Sequence, residues 1–258
     1  ACSRYELSIQ ASLDGFLFCV HTPDTGEILW WKSYHWEFTG YGQLLRKIRE
    51  RYDTEDWSTL KFGQVTISLG DPRFVLIPRP LFSDKAASRL LAGEKFSTAD
   101  TELVMTPLEP LDAVMAFTVH EPLAAFFRDH HPGCVISHEI ALLLRNFSQQ
   151  GPNGLFVHLH DHWFSVICIR GGRPDVVNTF DYRSETDLLF YLLSFLNLPG
   201  YETGPVTLSG RIDVQDSRYV LLKNHIPRIT LFTTEYPSGE SIPLTEIPAQ
   251  LLPGVIPI

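Results

Sequence analysis

The feature that most limits how this chain can fold is a stretch used twice. Residues 154–193 read GLFVHLHDHWFSVICIRGGRPDVVNTFDYRSETDLLFYLL, and a fainter counterpart at residues 6–48 reads ELSIQASLDGFLFCVHTPDTGEILWWKSYHWEFTGYGQLLRKI. Each predicts strand, turn, strand, turn, strand, helix. In the first, Leu7, Ile9 and Ala11 alternate with Ser8, Gln10 and Ser12, the period of a half-buried strand. Asp14-Gly15 reads as a tight hairpin turn, and Pro23-Asp24-Thr25-Gly26 as a second turn. Leu7, Ile9 and Ala11 map onto Leu155, Val157 and Leu159 at an offset of 148. Gly26, Tyr34 and Trp36 map onto Gly172, Phe180 and Tyr182 at 146, and Val65-Thr66 onto Val206-Thr207 at 141. The offset falls smoothly, as it does when loops shorten. The run SQQGPNG at residues 148–154 breaks every pattern. It marks the expected boundary between a first half, residues 1–150, and a second, residues 151–258.

Between the two copies the periodicity changes repeatedly. Tyr41, Leu44, Leu45, Ile48 and Tyr52 form one apolar stripe on a charged helix. Residues 65–69 predict a short strand that Asp71-Pro72 turns and residues 74–77 return. Ser83 predicts a helix N-cap and Gly93 its stop, and residues 94–101 a polar loop. Short strands are expected near residues 103–105, 113–119 and 134–137. Helices are expected after Pro122, carrying Leu123, Phe126 and Phe127, and on Ile140, Leu143 and Leu144. In the second copy Ser184 with Asp187 forms a capping-box variant. Residues 188–193 are apolar all round, which predicts a helix sandwiched between layers. Residues 217–222 read as helix, residues 229–232 as a last strand, and the proline-punctuated run from Tyr236 as an extended tail.

The chain carries 21 Lys and Arg against 30 Asp and Glu, a net charge of −9. Nucleic-acid affinity comes mainly from neutralised phosphates, so no nucleic-acid partner is expected. Arg46, Lys47, Arg49 and Arg51 read as the solvated face of a helix. No apolar run is long enough to span a membrane, and ACSRYELSIQ holds no signal-peptide hydrophobic region. None of the four cysteines forms a CxxC pair, which suits a reducing cytoplasm. Trp30 and Trp31 face opposite sides of one strand, so one is expected in the core and the other on an outer surface.

Three strands in a meander, a helix and then a parallel strand resemble the ribonuclease H-like unit. Two such units resemble the actin, sugar kinase and Hsp70 superfamily. The chain also resembles a bacterial family, domain of unknown function 3822, to which an actin-like ATPase fold is assigned. The likeness covers nearly the whole chain. It rests on Leu13-Asp14-Gly15-Phe16, the run VLIPRPLF at 75–82, Asn178-Thr179-Phe180, and Asp187 with Tyr191. Cytoplasmic domains of pilus-assembly and type II secretion proteins share the plan more weakly. The resemblance implies an α/β chain of two duplicated ribonuclease H-like units, with two mixed sheets flanked by helices and a nucleotide between the halves.

The superfamily grips phosphate with an Asp-x-Gly pattern on the first hairpin of each half. Here Gln10-Ala11-Ser12 and His158-Leu159-His160 stand in those places. The carboxylate would order Mg²⁺ or its waters, and the glycine would let backbone N–H groups approach phosphate oxygens. Both are missing twice. A third motif, a strand ending in two glycines against adenosine, resembles the run ending in Ser209-Gly210, with one glycine left. Asp14 and Asp161 lie beside the hairpins as substitute acids. The expectation is no ATP hydrolysis and no cofactor, with Mg-ATP the alternative ligand.

His158, His160 and His162 with Asp161 form HLHDH. His is the commonest transition-metal ligand, and His158 and His160 share a strand face. Metallo-β-lactamases carry His-x-His-x-Asp-His, but one residue fewer here moves Asp161 to the opposite face. Asp129-His130-His131 reads as helix C-terminal capping and His138 as structural. Neither a GxSxG elbow nor a Walker P-loop occurs. The reading is a non-catalytic interaction or scaffold module with a degenerate nucleotide cleft, its protein partner unnamed. Its rivals are a nucleotide-binding switch, and a metal-dependent hydrolase using His158, His160 and Asp161.

Overall fold

A computed structural model describes residues 4–93, 100–197 and 205–232. They divide into two compact units, one within Ala1–Leu142 and the other within Leu143–Glu235. The tail from Tyr236 and most of the expected loop at 94–101 lie outside the described residues.

In the first unit β1 (Glu6–Ser12), β2 (Gly15–His21) and β3 (Ile28–His35) form an antiparallel meander. Helix α1 (Tyr41–Tyr52) leads to β4 (Gln64–Gly70), which lies parallel to β1. The chain then makes a detour through β5 (Val75–Pro78), α2 (Asp84–Gly93), β6 (Thr101–Leu108), β7 (Ala113–His120) and α3 (Glu121–His130). It returns as β8 (Val135–His138), parallel to β4, and continues into α4 (Glu139–Ser148), within which the division between the units falls. The main sheet has the order β3-β2-β1-β4-β8, and β5-β7-β6 form a separate antiparallel sheet.

Three expectations need correction here. Strand β1 is not half-buried: Ser8, Gln10 and Ser12 are buried along with Leu7, Ile9 and Ala11. The cause is its place between β2 and β4, since strands inside a partly parallel sheet are covered on both faces. Strand β5 does not fold back on β4 but pairs with β7 in the separate three-stranded sheet. Trp30 and Trp31 do not split into a core and an outer residue. Both are half-buried on edge strand β3, with Trp30 packed on Phe18 at 4.8 Å between ring centroids.

The helical stripes are where the sequence puts them. Leu44, Leu45, Ile48 and Tyr52 of α1 are buried, while Arg46 and Arg49 face water. Tyr52 meets Trp57, Phe126 and Phe127 in one aromatic cluster. Trp57 reaches it from a short 3₁₀ turn, Asp56–Thr59, that periodicity does not reveal.

The second unit runs β9 (Asn153–Leu159), β10 (Trp163–Arg170), β11 (Arg173–Asp181), α5 (Glu185–Leu196), β12 (Val206–Gly210), α6 (Ser217–His225) and β13 (Ile229–Leu231). Its sheet has the order β11-β10-β9-β12-β13, the same pattern as the first. The registers agree as well. Leu7 lies opposite Val65 and Leu155 opposite Val206; Ala11 opposite Phe16 and Leu159 opposite Phe164. Gly26 and Gly172 both take positive φ, 66° and 76°, at the second turn, a conformation that glycine adopts without steric cost.

One face of the second sheet packs Leu155, Val157, Leu159, Leu208 and Val206 against Leu188 and Leu192 of α5 and Leu222 of α6. The capping box of α5 forms as expected: the Asp187 N–H donates to Ser184 Oγ at 3.1 Å, and the Ser184 N–H donates to Asp187 Oδ2 at 3.1 Å. The helix is not sandwiched, however. Phe190 is 66% exposed and Tyr191 is exposed beside it. Leu188, Leu192 and Phe195 make the single buried stripe, and apolar residues elsewhere on a helix do not by themselves bring a second layer to cover them.

Candidate functional site

In α/β sheets ligands gather beyond the carboxyl ends of the parallel strands. In the first unit those ends are Ser12 of β1, Gly70 of β4 and His138 of β8. Gln10 sits one pleat before Ser12 on the same face and donates from Nε2 to Oε2 of Glu139 at 2.8 Å. Glu139 opens α4 with its side chain wholly buried. A carboxylate there gains from the helix dipole. The Ser12 hydroxyl donates to the Asp14 carboxylate. Both side chains are buried, so the Ser12 hydroxyl is already spent inside the turn.

At the end of β4, Asp71 gathers four donors. They are the Tyr41 hydroxyl, the Arg73 N–H at 2.8 Å, and Arg73 Nε and Nη2 at 2.7 and 2.6 Å. Burial, with the Asp71 charge next, pushes the Tyr41 hydroxyl well above its usual range. The bonds to Asp71 in turn raise the Arg73 guanidinium. His138 bridges outward: its Nδ1 accepts from the Ile140 N–H at 3.2 Å, and its Nε2 lies 2.8 Å from the Asp71 carbonyl. Those partners assign a neutral ring protonated on Nε2, the structural role expected for His138.

In the second unit the matching strand end carries His158, His160, Ser209 and Gly210. His158 and His160 are 1% and 2% exposed, with rings edge to face at 5.3 Å. His158 Nδ1 lies 2.9 Å from Ser209 Oγ. The His160 ring lies flat on Trp163, 3.9 Å between centroids. Its carbonyl accepts from the Tyr182 hydroxyl at 2.6 Å and from Arg218 at 3.3 Å. Arg218 also binds Asp216 and the Arg211 carbonyl. Burial alone would raise Asp216, but the Arg218 hydrogen bonds outweigh it and hold the carboxyl below its ordinary range. Asp161 joins no group of three possible metal ligands among the described residues; it stands in the turn after β9, half-buried.

Gly210 has a reason of its own to be bare. Its φ is 89°, and a Cβ there would stand 2.2 Å from the Leu159 carbonyl oxygen. The next N–H, of Arg211, donates to that same oxygen at 2.8 Å. The glycine therefore lets β12 close on the end of β9.

Sequence reasoning missed Glu139, Asp71, Arg73, Tyr41, Tyr182 and Arg218. One signal was available. Asp71-x-Arg73 and Asp216-x-Arg218 are the same local motif, an Asp that caps the N–H two residues on and holds that residue's guanidinium. Glu139 gave no signal, because its partner Gln10 is 129 residues away.

Comparisons with known proteins agree with this fold. A family model described as protein of unknown function (DUF3822) matches residues 2–229. Against curated proteins no match is found. A Bacteroides thetaiotaomicron protein with actin-like ATPase fold and unknown function is 19% identical at a TM-score of 0.77, over 90% of this chain and 91% of that one. The PilM–PilN type IV pilus biogenesis complex contains a chain 13% identical at 0.58, over 88% of each. The ethanolamine utilization protein EutJ of Carboxydothermus hydrogenoformans is 7% identical at 0.51, over 87% and 84%. The fold is thus the actin-like ATPase fold. No helix among the described residues is long and apolar enough to cross a membrane.

Proposed function

The chain belongs to the DUF3822 family, and on that premise we propose that it is a non-catalytic actin-like protein, an interaction or scaffold module whose nucleotide grip has been lost. One observation carries the reading: the side chains that stand where the superfamily keeps glycine are packed into the fold. Ser12 is bonded to Asp14, and His160 is stacked on Trp163. A phosphate gripped there would need open backbone N–H groups, and both strand ends are filled. The surviving glycine, Gly210, faces the Leu159 carbonyl.

The proposal includes an origin by duplication. Equal strand order and register in the two units support it, and both copies then lost the acid and the glycine. PilM, an actin-like relative in fold, is described in a complex with PilN; that gives a precedent for such a fold serving a partner. A bacterial cytoplasmic setting suits free thiols at Cys19, Cys134 and Cys168.

The test uses the full chain with ATP, ADP and Mg²⁺. A ligand that binds the native state raises its melting temperature, so the expected result is no shift and phosphate release at background. Mg²⁺-dependent turnover abolished by Asp14→Asn or Asp161→Asn overturns the proposal. A shift with Mg-ATP without turnover replaces it by the nucleotide-binding switch.

A further inference from the structure

We propose that His158 and His160 form the protein half of a buried site for a first-row transition cation of the Zn²⁺ class. The cation is structural, and no reaction is assigned to it. The inference stands apart from the scaffold reading, since a chain with or without a nucleotide grip can hold such an ion.

Four observations in the second unit converge. His158 lies in β9 and His160 just past its end, and the two rings meet edge to face, 5.3 Å between centroids. Each offers a ring nitrogen within 4.8 Å of the other's. Two nitrogens bound to one tetrahedral Zn²⁺, each at about 2.0–2.1 Å, stand about 3.4 Å apart. Small rotations of the two rings close that gap.

The second observation is the state of His158. Ser209 Oγ lies 2.9 Å from its Nδ1 and 3.5 Å from the Val157 carbonyl, to which the hydroxyl donates. With the hydroxyl donating to that carbonyl it accepts from the ring, which assigns the proton to Nδ1. Nε2 is then the unprotonated nitrogen, the form that a metal ligand needs. Metal-binding histidines are oriented in this way, by a partner on the other ring nitrogen.

The third is rigidity. His160 lies flat on Trp163, and its carbonyl is held by Tyr182 and Arg218. An ion binding there orders little that is not already ordered.

The fourth is an orphan. Ser165 sits directly across from His158 in the β9–β10 register. Its side chain is completely buried, and its hydroxyl has no hydrogen-bond partner. Buried hydroxyls are nearly always satisfied. Neighbours in register share a face of the sheet, so a water bound to the cation lies within reach of this hydroxyl and would satisfy it. Imidazole ligands suit Zn²⁺, Ni²⁺ and Cu²⁺ better than Mg²⁺ or Ca²⁺, which prefer oxygen.

The test uses the full chain made without a His-tag, stripped with a chelator and titrated with Zn²⁺ and Co²⁺. The expected result is one bound equivalent per chain, the ligand-field spectrum of nitrogen-bound Co²⁺, and a raised melting temperature. His158→Asn and His160→Asn should each abolish the bound equivalent, and Ser209→Ala should weaken it 10- to 100-fold. His162→Ala, a change at an exposed neighbour, should leave it intact. If the buried variants fail to fold, the wild-type histidine ¹⁵N spectrum decides, because Zn²⁺ should move the signals of two rings and no more. No bound equivalent, or one lost only in His162→Ala, overturns the assignment. Mg-ATP binding or its absence does not bear on it.

Discussion

The sharpest quantitative prediction concerns His131, which ends α3 beneath the aromatic cluster of the first unit. Its ring is buried, lies parallel to Trp57 and sits 3.1 Å through Nε2 from the Tyr52 hydroxyl. A helix C-terminus favours a charged histidine, but burial wins, with the neighbouring His130 adding to it, and the pKa falls from 6.5 to about 4. The folded chain thus holds this proton less readily than the unfolded chain. Stability is complete above the unfolded value and drains as the pH falls through 6.5 toward 4. One pKa unit is about 1.4 kcal/mol, so acidifying from pH 7 to pH 5 should cost about 2 kcal/mol through this residue. The perturbation is His131→Gln, which keeps an acceptor for Tyr52 and removes the titration. Urea midpoints at pH 7, 6 and 5, followed by Trp fluorescence, should show the variant losing about 2 kcal/mol less than the wild type across that range. His21, also lowered by burial against weaker opposing effects of Thr22 and Glu6, contributes in the same direction and remains in both proteins. A ring that titrates near 6.5 by NMR, or equal losses in the two proteins, refutes the reasoning.

Three further outcomes follow from the geometry. Gly210→Ala should destabilise the second unit by about 3 kcal/mol or more, because the new Cβ meets the Leu159 carbonyl at a left-handed φ; thermal denaturation reads it, and an unchanged midpoint refutes it. Arg218→Met should cost about 3 kcal/mol, since it strips Asp216 of its cation and the His160 and Arg211 carbonyls of a donor; a change below 1 kcal/mol in urea unfolding, roughly one neutral hydrogen bond, contradicts that. Ser184→Ala should remove half of the α5 capping box for about 1 kcal/mol, and Ser184→Asp should restore it; failure of the rescue argues that the cap contributes little.

Much of the second unit could be read directly. The alternation of Leu155, Val157 and Leu159, the Gly171-Gly172 turn, and Ser184 with Asp187 each report local backbone geometry. They reappear as β9, the β10–β11 turn and the cap of α5. Periodicity also put Gln10 and Ser12 on β1 and His158 on β9, while their reading as cleft positions came from the family resemblance. The partners of those residues could not be read. Gln10 meets Glu139 and Ser12 meets Asp14 only once β1 is set between β2 and β4.

What the sequence alone determined is therefore the order of strands, turns and helices, their periodic faces and the repetition of one plan. These depend on neighbours within a few residues, and side chains write them into the chain. Only the tertiary structure decided that Ser8, Gln10 and Ser12 are buried, that β5 joins a third sheet, that Phe190 faces water and that Gly210 is bare for the sake of Leu159. Each of these turns on which distant segment arrives alongside. A pattern of polar and apolar residues states that a face is to be covered or left open, but the segment that covers it is chosen by long-range pairing, which leaves no local mark.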